Sequence, residues 1–222
     1  SFINANKNEV VFTSGTTQSI NLIALGYALN NLNEGDEIIL NEAEHASNIL
    51  PWYEIANKLN LKITFAPLNE KGQVTVEAIK SVVTSKTKLI SIAYVSNVLG
   101  TVNDVKAIIK YAHENNIIVA VDAAQAVPHM KVDVKDLDCD FLAFSAHKMC
   151  GPTGIGILYG KYDLLVKTDS LMYGGGMNVK FDNCQNLLIK KPPYKFEGGT
   201  PAIAEVIGFA KAIEYLNEIG MN

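Results

Sequence analysis

Lys148 sits where solubility has little use for a charge. It follows directly on the apolar run Phe141–Phe144 and leads into the loop Cys150-Gly-Pro-Thr-Gly154 rather than onto a solvated helix face. Lysine is the side chain that forms Schiff bases with carbonyl compounds, and its pKa falls readily in a desolvated site. Ser145 and His147 flank it at a spacing that allows a shared anion. Asp122 ends a second apolar run, Ile117–Val121, and Gln125 follows three residues later. A carboxylate at the end of a buried strand needs a partner, because desolvating it alone is costly. The protonated ring nitrogen of a cofactor would be such a partner. A helix N-terminus capped by the Asp would be another.

Three more clusters follow apolar runs in the same way. After Val10–Thr13 comes Ser14-Gly-Thr-Thr-Gln18, where Thr16 and Thr17 open a helix-length segment. Free N–H groups and the positive end of a helix dipole suit a phosphate there, and a simple N-cap uses the same residues. Glu44-His-Ala-Ser-Asn48 places His45 either as a cap or as a flat ring able to stack on a planar cofactor. Val95-Ser-Asn-Val-Leu-Gly100 puts the Asn97 amide at the same edge, in a sequence that also suits an ordinary turn. A phosphate cup, a stacking ring, a buried Asp, an amide pair and an activated Lys are together what pyridoxal 5′-phosphate (PLP) requires. The Lys takes the aldehyde, the Asp keeps the pyridine nitrogen protonated, and the helix end holds the phosphate. A nicotinamide-nucleotide domain fits less well. No Gly-rich turn links the first strand to its helix, and Gly151, Gly154 and Gly156 precede a strand instead.

The elements that must position these groups read as one α/β domain. Seven short, β-branched runs recur at Val10–Thr13, Glu37–Leu40, Lys62–Ala66, Lys88–Val95, Ile117–Asp122, Phe141–Phe144 and Ile155–Tyr159. Between them lie segments with helical apolar spacing: Thr17–Leu29, Ile49–Leu59, Val76–Val83 and Val105–Asn115. Strands apolar on both faces and alternating with helices predict a mainly parallel sheet covered on both sides, with ligands beyond the strands' carboxyl ends. After Gly174–Gly176 the pattern is irregular up to Phe196-Glu-Gly-Gly-Thr-Pro201. A helix follows over Ala202–Ile219, whose Val206, Phe209, Ala210, Ile213 and Leu216 need something to pack on. The two ends read as cut from a larger protein.

Composition removes several function classes. The chain has 222 residues, 48% apolar, with 19 basic side chains (all Lys, no Arg) against 23 acidic ones and a net charge of −4. That is enough to bury a core, too apolar for disorder, and of the wrong sign for a nucleic-acid or anionic-membrane surface. Cys139, Cys150 and Cys184 lack metal-ligand spacing and read as reduced intracellular thiols, with no metal expected. Ser1–Val10 has no apolar signal core, and the charge-free stretch Val11–Asn33 is broken by polar residues, so a soluble, cytoplasmic protein is expected. Trp52 reads as helix-to-sheet packing, His113 as a solvated helix residue, His129 as a surface-loop residue and Cys139 as packed.

The ordered set of motifs resembles a known family. Gly-Thr-Thr at Thr17, Glu-His-Ala-Ser-Asn at His45, Val-Ser-Asn-Val-Leu-Gly at Asn97, Val-Asp-Ala-Ala-Gln at Asp122, Asp-Cys-Asp-Phe at Cys139, Ser-Ala-His-Lys-Met-Cys-Gly-Pro-Thr-Gly-Ile-Gly at Lys148 and Phe-Glu-Gly-Gly-Thr-Pro at Thr200 occur in sequence. From about Val10 to Gly220 the chain is similar to the large domain of class V aminotransferase-fold enzymes of the SufS-like cysteine desulfurase type. The resemblance implies a fold-type I PLP domain over residues 1–201, with residues 202–222 leading to a small C-terminal domain. It implies Lys148 as the Schiff-base lysine, Asp122 as partner of the pyridine nitrogen, His45 stacked on the ring, Gln125 on the phenolic oxygen and Asn97 beside it near substrate. Thr16, Thr17, Ser145 and His147 would hold the phosphate, and Thr200 would reach the phosphate site of the partner subunit in a homodimer. The implied reaction removes sulfur from L-cysteine, giving L-alanine and an enzyme persulfide passed to a sulfur-acceptor protein for iron–sulfur cluster assembly. The family's nucleophilic Cys and its substrate-gripping Arg belong to the small domain, and none of Cys139, Cys150 and Cys184 matches that Cys. Selenocysteine lyase, a kynureninase-like hydrolase or another class V enzyme shares the large-domain motifs. A non-catalytic dimerisation or partner-binding module would have no use for Lys148 and Asp122.

Overall fold

In the computed structural model, which describes residues 2–182 and 186–221, all seven expected strands form. They are β1 (Val10–Thr13), β2 (Glu37–Asn41), β3 (Lys62–Ala66), β4 (Thr87–Ala93), β5 (Ile118–Asp122), β6 (Phe141–Ser145) and β7 (Gly156–Gly160). They build one sheet in the order β1-β7-β6-β5-β4-β2-β3. β3, β2, β4, β5 and β6 pair in parallel, and β7 runs antiparallel to both β6 and β1. Six strands therefore end at one edge, and β7 alone begins there.

Side-chain alternation divides the core in two. Ile39, Val119, Val121, Leu142 and Phe144 face one layer, while Ile38, Leu40, Ala120, Phe141 and Ala143 face the other. The first layer holds α4 (Val76–Val82) and α5 (Val105–Glu114). Val105, Ile108, Ile109 and Ala112 recur at helical spacing on α5 and are fully buried, and the Asp104 side chain caps the helix by accepting from Ala107 N at 3.2 Å. The second layer holds α3 (Leu50–Leu59), whose Trp52 is completely buried against the sheet as expected. It also holds the long helical segment that opens with α1 (Thr16–Asn21).

That segment departs from the regular helix expected. After α1 it widens into π-helical turns over Leu22–Ala28 before α2 (Leu29–Asn31). There Gly26 O accepts from Asp169 N at 2.9 Å, and a Cβ on Gly26 would meet Asp169 O at 2.4 Å, so the glycine admits the following chain at van der Waals distance.

The region beyond Gly176 is more ordered than its sequence suggests, because β8 (Asn178–Phe181) and β9 (Leu187–Ile189) pair as an antiparallel hairpin. Cys184 lies outside the described residues. The last helix, numbered α8 (Ile203–Ile219) after the short α6 (Val134–Leu137) and α7 (Tyr162–Val166), finds its packing within this same core. Phe209, Ala212 and Leu216 are buried there, and the Phe209 ring meets Phe144 edge-on at 6.3 Å. Val206 and Ile213 are partly buried against the same cluster, and Ala210 is exposed. No helix among the described residues is long and apolar enough to cross a membrane.

Candidate functional site

The carboxyl edge of the sheet gathers the groups singled out in the sequence. Asp122, the last residue of β5, is 6% exposed. Its Oδ1 accepts from Ala124 N at 2.9 Å, its only hydrogen bond from the side chain among the described residues. Burial raises its pKa above the ordinary carboxylate range, while the Ala124 amide and the charges of Lys148 and His45 pull it down. Those charge effects place both Lys148 and His45 in the field of the Asp122 carboxyl. Lys148 ends the 3₁₀ turn Ala146–Lys148 just past β6, partly buried, with no ion pair or hydrogen bond on its amine among the described residues. The turn is anchored on either side of Lys148: Ala146 and Met149 are buried, and Gly151 N donates to Ala146 O at 2.9 Å. A Cβ on Gly151 would come within 2.9 Å of Ala146, so the loop that carries Lys148 closes tightly only with glycine there.

His45 caps the short turn Ala46–Asn48, its Nδ1 accepting from Ser47 N at 3.1 Å, and its ring is exposed at the strand edge. Capping thus fixes the ring that the stacking role would need. The β1–α1 turn lies against Ser145: Thr16 N donates to Ser145 Oγ at 2.7 Å and the Thr16 and Ser145 hydroxyls are 2.8 Å apart. Thr17 shares a 2.8 Å hydroxyl contact with Ser47. Gly15, at φ +152°, brings this turn so close to β7 that a Cβ on Gly156 would lie 2.5 Å from Gly15 Cα. The turns after β1, β2 and β6 are thus joined through Ser, Thr and His side chains into one polar cup at the start of α1.

The other expected site residues make no side-chain hydrogen bond among the described residues. Gln125 is half-buried in the turn after Asp122, and Asn97 and His147 are exposed. Thr200 is exposed on a separate segment, where Gly199 N donates to Gly175 O at 2.8 Å, and no hydrogen bond among the described residues ties it to the cup. Cys139 is fully buried with its thiol pKa raised by burial, and Cys150 is exposed in a left-handed conformation at φ +60°. His129 is exposed in a turn, as expected. His113 is not the free surface residue its sequence suggests. Its ring nitrogens contact Asp138 at 3.2 Å and the buried Asp140 at 2.9 Å, and Lys161 bridges the same two carboxylates. A cleft of about 730 Å³ runs along α5 and α6 beside His113, and none of the cup residues lines it.

Sequence reasoning missed the group beneath the cup. Glu44 is 8% exposed, directly before His45. Its carboxyl accepts from Ala93 N at 2.8 Å, from Asn48 Nδ2 at 2.7 Å and from Asn41 Nδ2. Burial, with the nearby Asp122 charge, pushes its pKa up, and the Asn48, Ala93 and Asn41 donors oppose the rise. The signal was the one used for Asp122: polar residues directly following a strand buried along its whole length.

Comparison with known proteins accords with this geometry. The aminotransferase class-V family model matches residues 1–222. The probable cysteine desulfurases of Halalkalibacterium halodurans and Staphylococcus aureus are each 48% identical over 222 residues, covering 100% of this chain and 54% of theirs. The crystal structure of the cysteine desulfurase CsdA from Escherichia coli superposes with a TM-score of 0.96 at 39% identity, covering 100% of this chain and 55% of that one. The apo cysteine desulfurase of Thermococcus onnurineus NA1 gives 0.94 at 38% identity, over 99% of this chain and 55% of that one. The chain spans about half the length of these relatives. With its full length matched by the family model and its fold superposing on these enzymes, the chain belongs to the aminotransferase class-V family.

Proposed function

We propose that the chain is the cofactor-binding part of a PLP-dependent cysteine desulfurase, residues 1–201 forming the PLP domain and 202–222 leading towards a small domain. The observation that carries the reading is a buried Asp122 at the end of β5, under the charges of Lys148 and His45, together with the Thr16–Ser145 hydroxyl contact at the start of a long helix. The residues fit the cofactor. A buried carboxyl with one protein donor suits a protonated ring nitrogen, and the Thr16, Thr17 and Ser145 hydroxyls with the α1 amides suit a phosphate. Gln125, Asn97 and His147 are the candidates for further cofactor contacts, and Thr200 is the candidate for the partner's site in a homodimer.

When bound, PLP supplies an electrophilic aldehyde and a ring that withdraws electrons from the substrate Cα. Lys148 would provide the amine that holds the aldehyde and the base that moves the proton at the substrate Cα. Asp122 would pair a negative charge with the protonated ring nitrogen, in a buried setting where that attraction is little screened. His45, its Nδ1 fixed by Ser47 N, keeps a flat face at the strand edge. The substrate would be L-cysteine, the products L-alanine and a persulfide passed to an acceptor protein for iron–sulfur cluster assembly in the cytoplasm. Capturing that sulfur would fall to a nucleophilic Cys from the remainder of the enzyme; Cys139 is fully buried, with its thiol pKa pushed up by burial.

The test is borohydride reduction of the PLP-loaded full-length protein followed by peptide mapping, together with turnover of L-cysteine and L-selenocysteine. The cofactor is expected on Lys148, with alanine and persulfide formed from L-cysteine. Attachment elsewhere overturns the site, and turnover of L-selenocysteine alone replaces the substrate.

A further inference from the structure

Glu44 is buried among groups that can only donate. Ala93 N–H is a fixed donor. Asn48 must present its NH₂ to Glu44, because its Oδ1 accepts from Trp52 Nε1 at 3.2 Å and from Ser91 Oγ at 2.6 Å, and an indole N–H can only donate. Asn41 must do the same, because its Oδ1 accepts from Ala43 N at 3.0 Å. Obligate donors behind each amide therefore fix both amide orientations. A protonated Glu44 would hold an O–H with none of these three groups able to accept it, whereas the carboxylate satisfies all three, so the donor geometry favours the ionised form against the burial and the Asp122 charge that push its pKa up to about 8.

The position of this charge connects it to the site. Ala93 pairs with Asp122 in the β4–β5 ladder, and Tyr94 N donates to Asp122 O at 2.9 Å. Ala93 is pinned from both sides, its N–H by Glu44 and its carbonyl by Asn103 Nδ2 at 2.7 Å. The charge acting on Glu44 is that of Asp122, the β5 partner of Ala93, and the charges of Lys148 and His45 act on Asp122 in turn. We propose that Glu44 is a positioning residue for Asp122: an ionised carboxylate that locks the carboxyl ends of β2 and β4 beside it and sets a second negative charge behind it. The pair of charges biases this edge towards a cationic partner and strengthens Asp122's hold on a proton shared with one. Its relevance to the reaction rests on the cofactor reading above, but the charge and the locking do not.

The discriminating substitution is Glu44→Gln in the cofactor-free full-length protein. Gln matches a neutral acid closely, but against three donors its NH₂ must confront one of them, either Asn48 Nδ2 or the Ala93 and Asn41 side. We expect E44Q to lower the thermal midpoint by about 3–8 °C, the range for one unsatisfied buried donor in a chain of this size. We also expect the Asp122 carboxyl, followed by ¹³C NMR with D122N as the assignment control, to titrate at lower pH once the like charge is gone. Adding Asn48→Asp restores the match. A carboxylate at position 48 accepts from Trp52 and Ser91 on one oxygen and from the new amide at position 44 on the other, and it returns a charge nearby. E44Q/N48D should recover both readouts, including solubility if E44Q alone does not fold. Wild-type stability and an unchanged Asp122 titration in E44Q overturn the proposal, as does a double variant that recovers neither. A protein that takes up no PLP while E44Q and E44Q/N48D behave as expected would sink the cofactor reading and leave this one standing.

Discussion

Strand β2 carries a buried glutamate at its start and is followed by another just past its end, and the two live in opposite electrostatic worlds. Glu37, at the amino edge, accepts from Lys62 at 2.9 Å, Thr84 at 2.7 Å, Thr87 at 3.0 Å and also Thr64. Burial alone would raise its pKa, yet these donors, one of them cationic, hold it at about 2. Glu44, at the carboxyl edge, has three donors and no ion pair among the described residues, and the like charge of Asp122 adds to burial in raising its pKa. At the amino edge a cation and three hydroxyls hold the carboxylate ionised. At the carboxyl edge burial works against ionisation and no ion pair among the described residues reaches either carboxyl, which is what a site awaiting a cationic ligand looks like.

Linkage gives the two edges opposite pH signs. Glu37 has a lowered native pKa, so its contribution is present above pH 4.5 and is lost as the pH falls towards about 2. Asp122 has a raised native pKa, so the native state binds its proton more tightly than the unfolded chain does, and stability declines as the pH rises through that interval.

Four substitutions break or sharpen this contrast. The largest effect is expected from Lys148→Ala, which removes the amine from the carboxyl edge. L-cysteine turnover by the full-length enzyme should fall by at least about 10⁴-fold with the fold intact by circular dichroism. Asp122→Asn should lower turnover by roughly 10²–10⁴-fold while making the cofactor-free protein more stable above neutral pH, because it deletes a buried charge. Denaturant unfolding at acid and alkaline pH reads both signs, and a D122N protein that loses stability at alkaline pH would contradict the contrast. Glu37→Gln should act in reverse. It should cost about 2–4 kcal/mol at neutral pH, flatten the acid limb of the stability profile and leave turnover per folded molecule unchanged. The smallest effect is expected at His113→Ala. Its Asp140 partner keeps Lys161 and Val119 N, so the loss should stay within about 1 kcal/mol, with no change in turnover.

The strands and most of the site were readable because each is a local pattern. Val119, Val121, Leu142 and Phe144 are β-branched or large apolar residues in short runs, and polar residues after such runs must emerge at an edge. Lys148, Asp122, His45, Thr16 and Ser145 were found in that way, and the fold brings them together because six strands end at one edge. What depends on partners distant in the chain was not readable. Glu44 owes its role to Ala93, 49 residues away, and His113 is claimed by Asp140, 27 residues away, so the sequence singled out no role for the first and suggested a solvated helix residue for the second. The β8–β9 hairpin was missed because its strands are short and its Leu187 and Leu188 are exposed, leaving no buried face to impose a period of two. By itself, then, the sequence determined which residues form the sheet and which chemistry-bearing groups follow its strands, since hydrophobic burial and strand direction are written into local patterns. Tertiary structure alone decided which buried carboxyl is held ionised for stability and which stand beside one another at the site. A charge in a low-dielectric interior is governed by the donors and charges around it, and those are assembled only when distant segments meet.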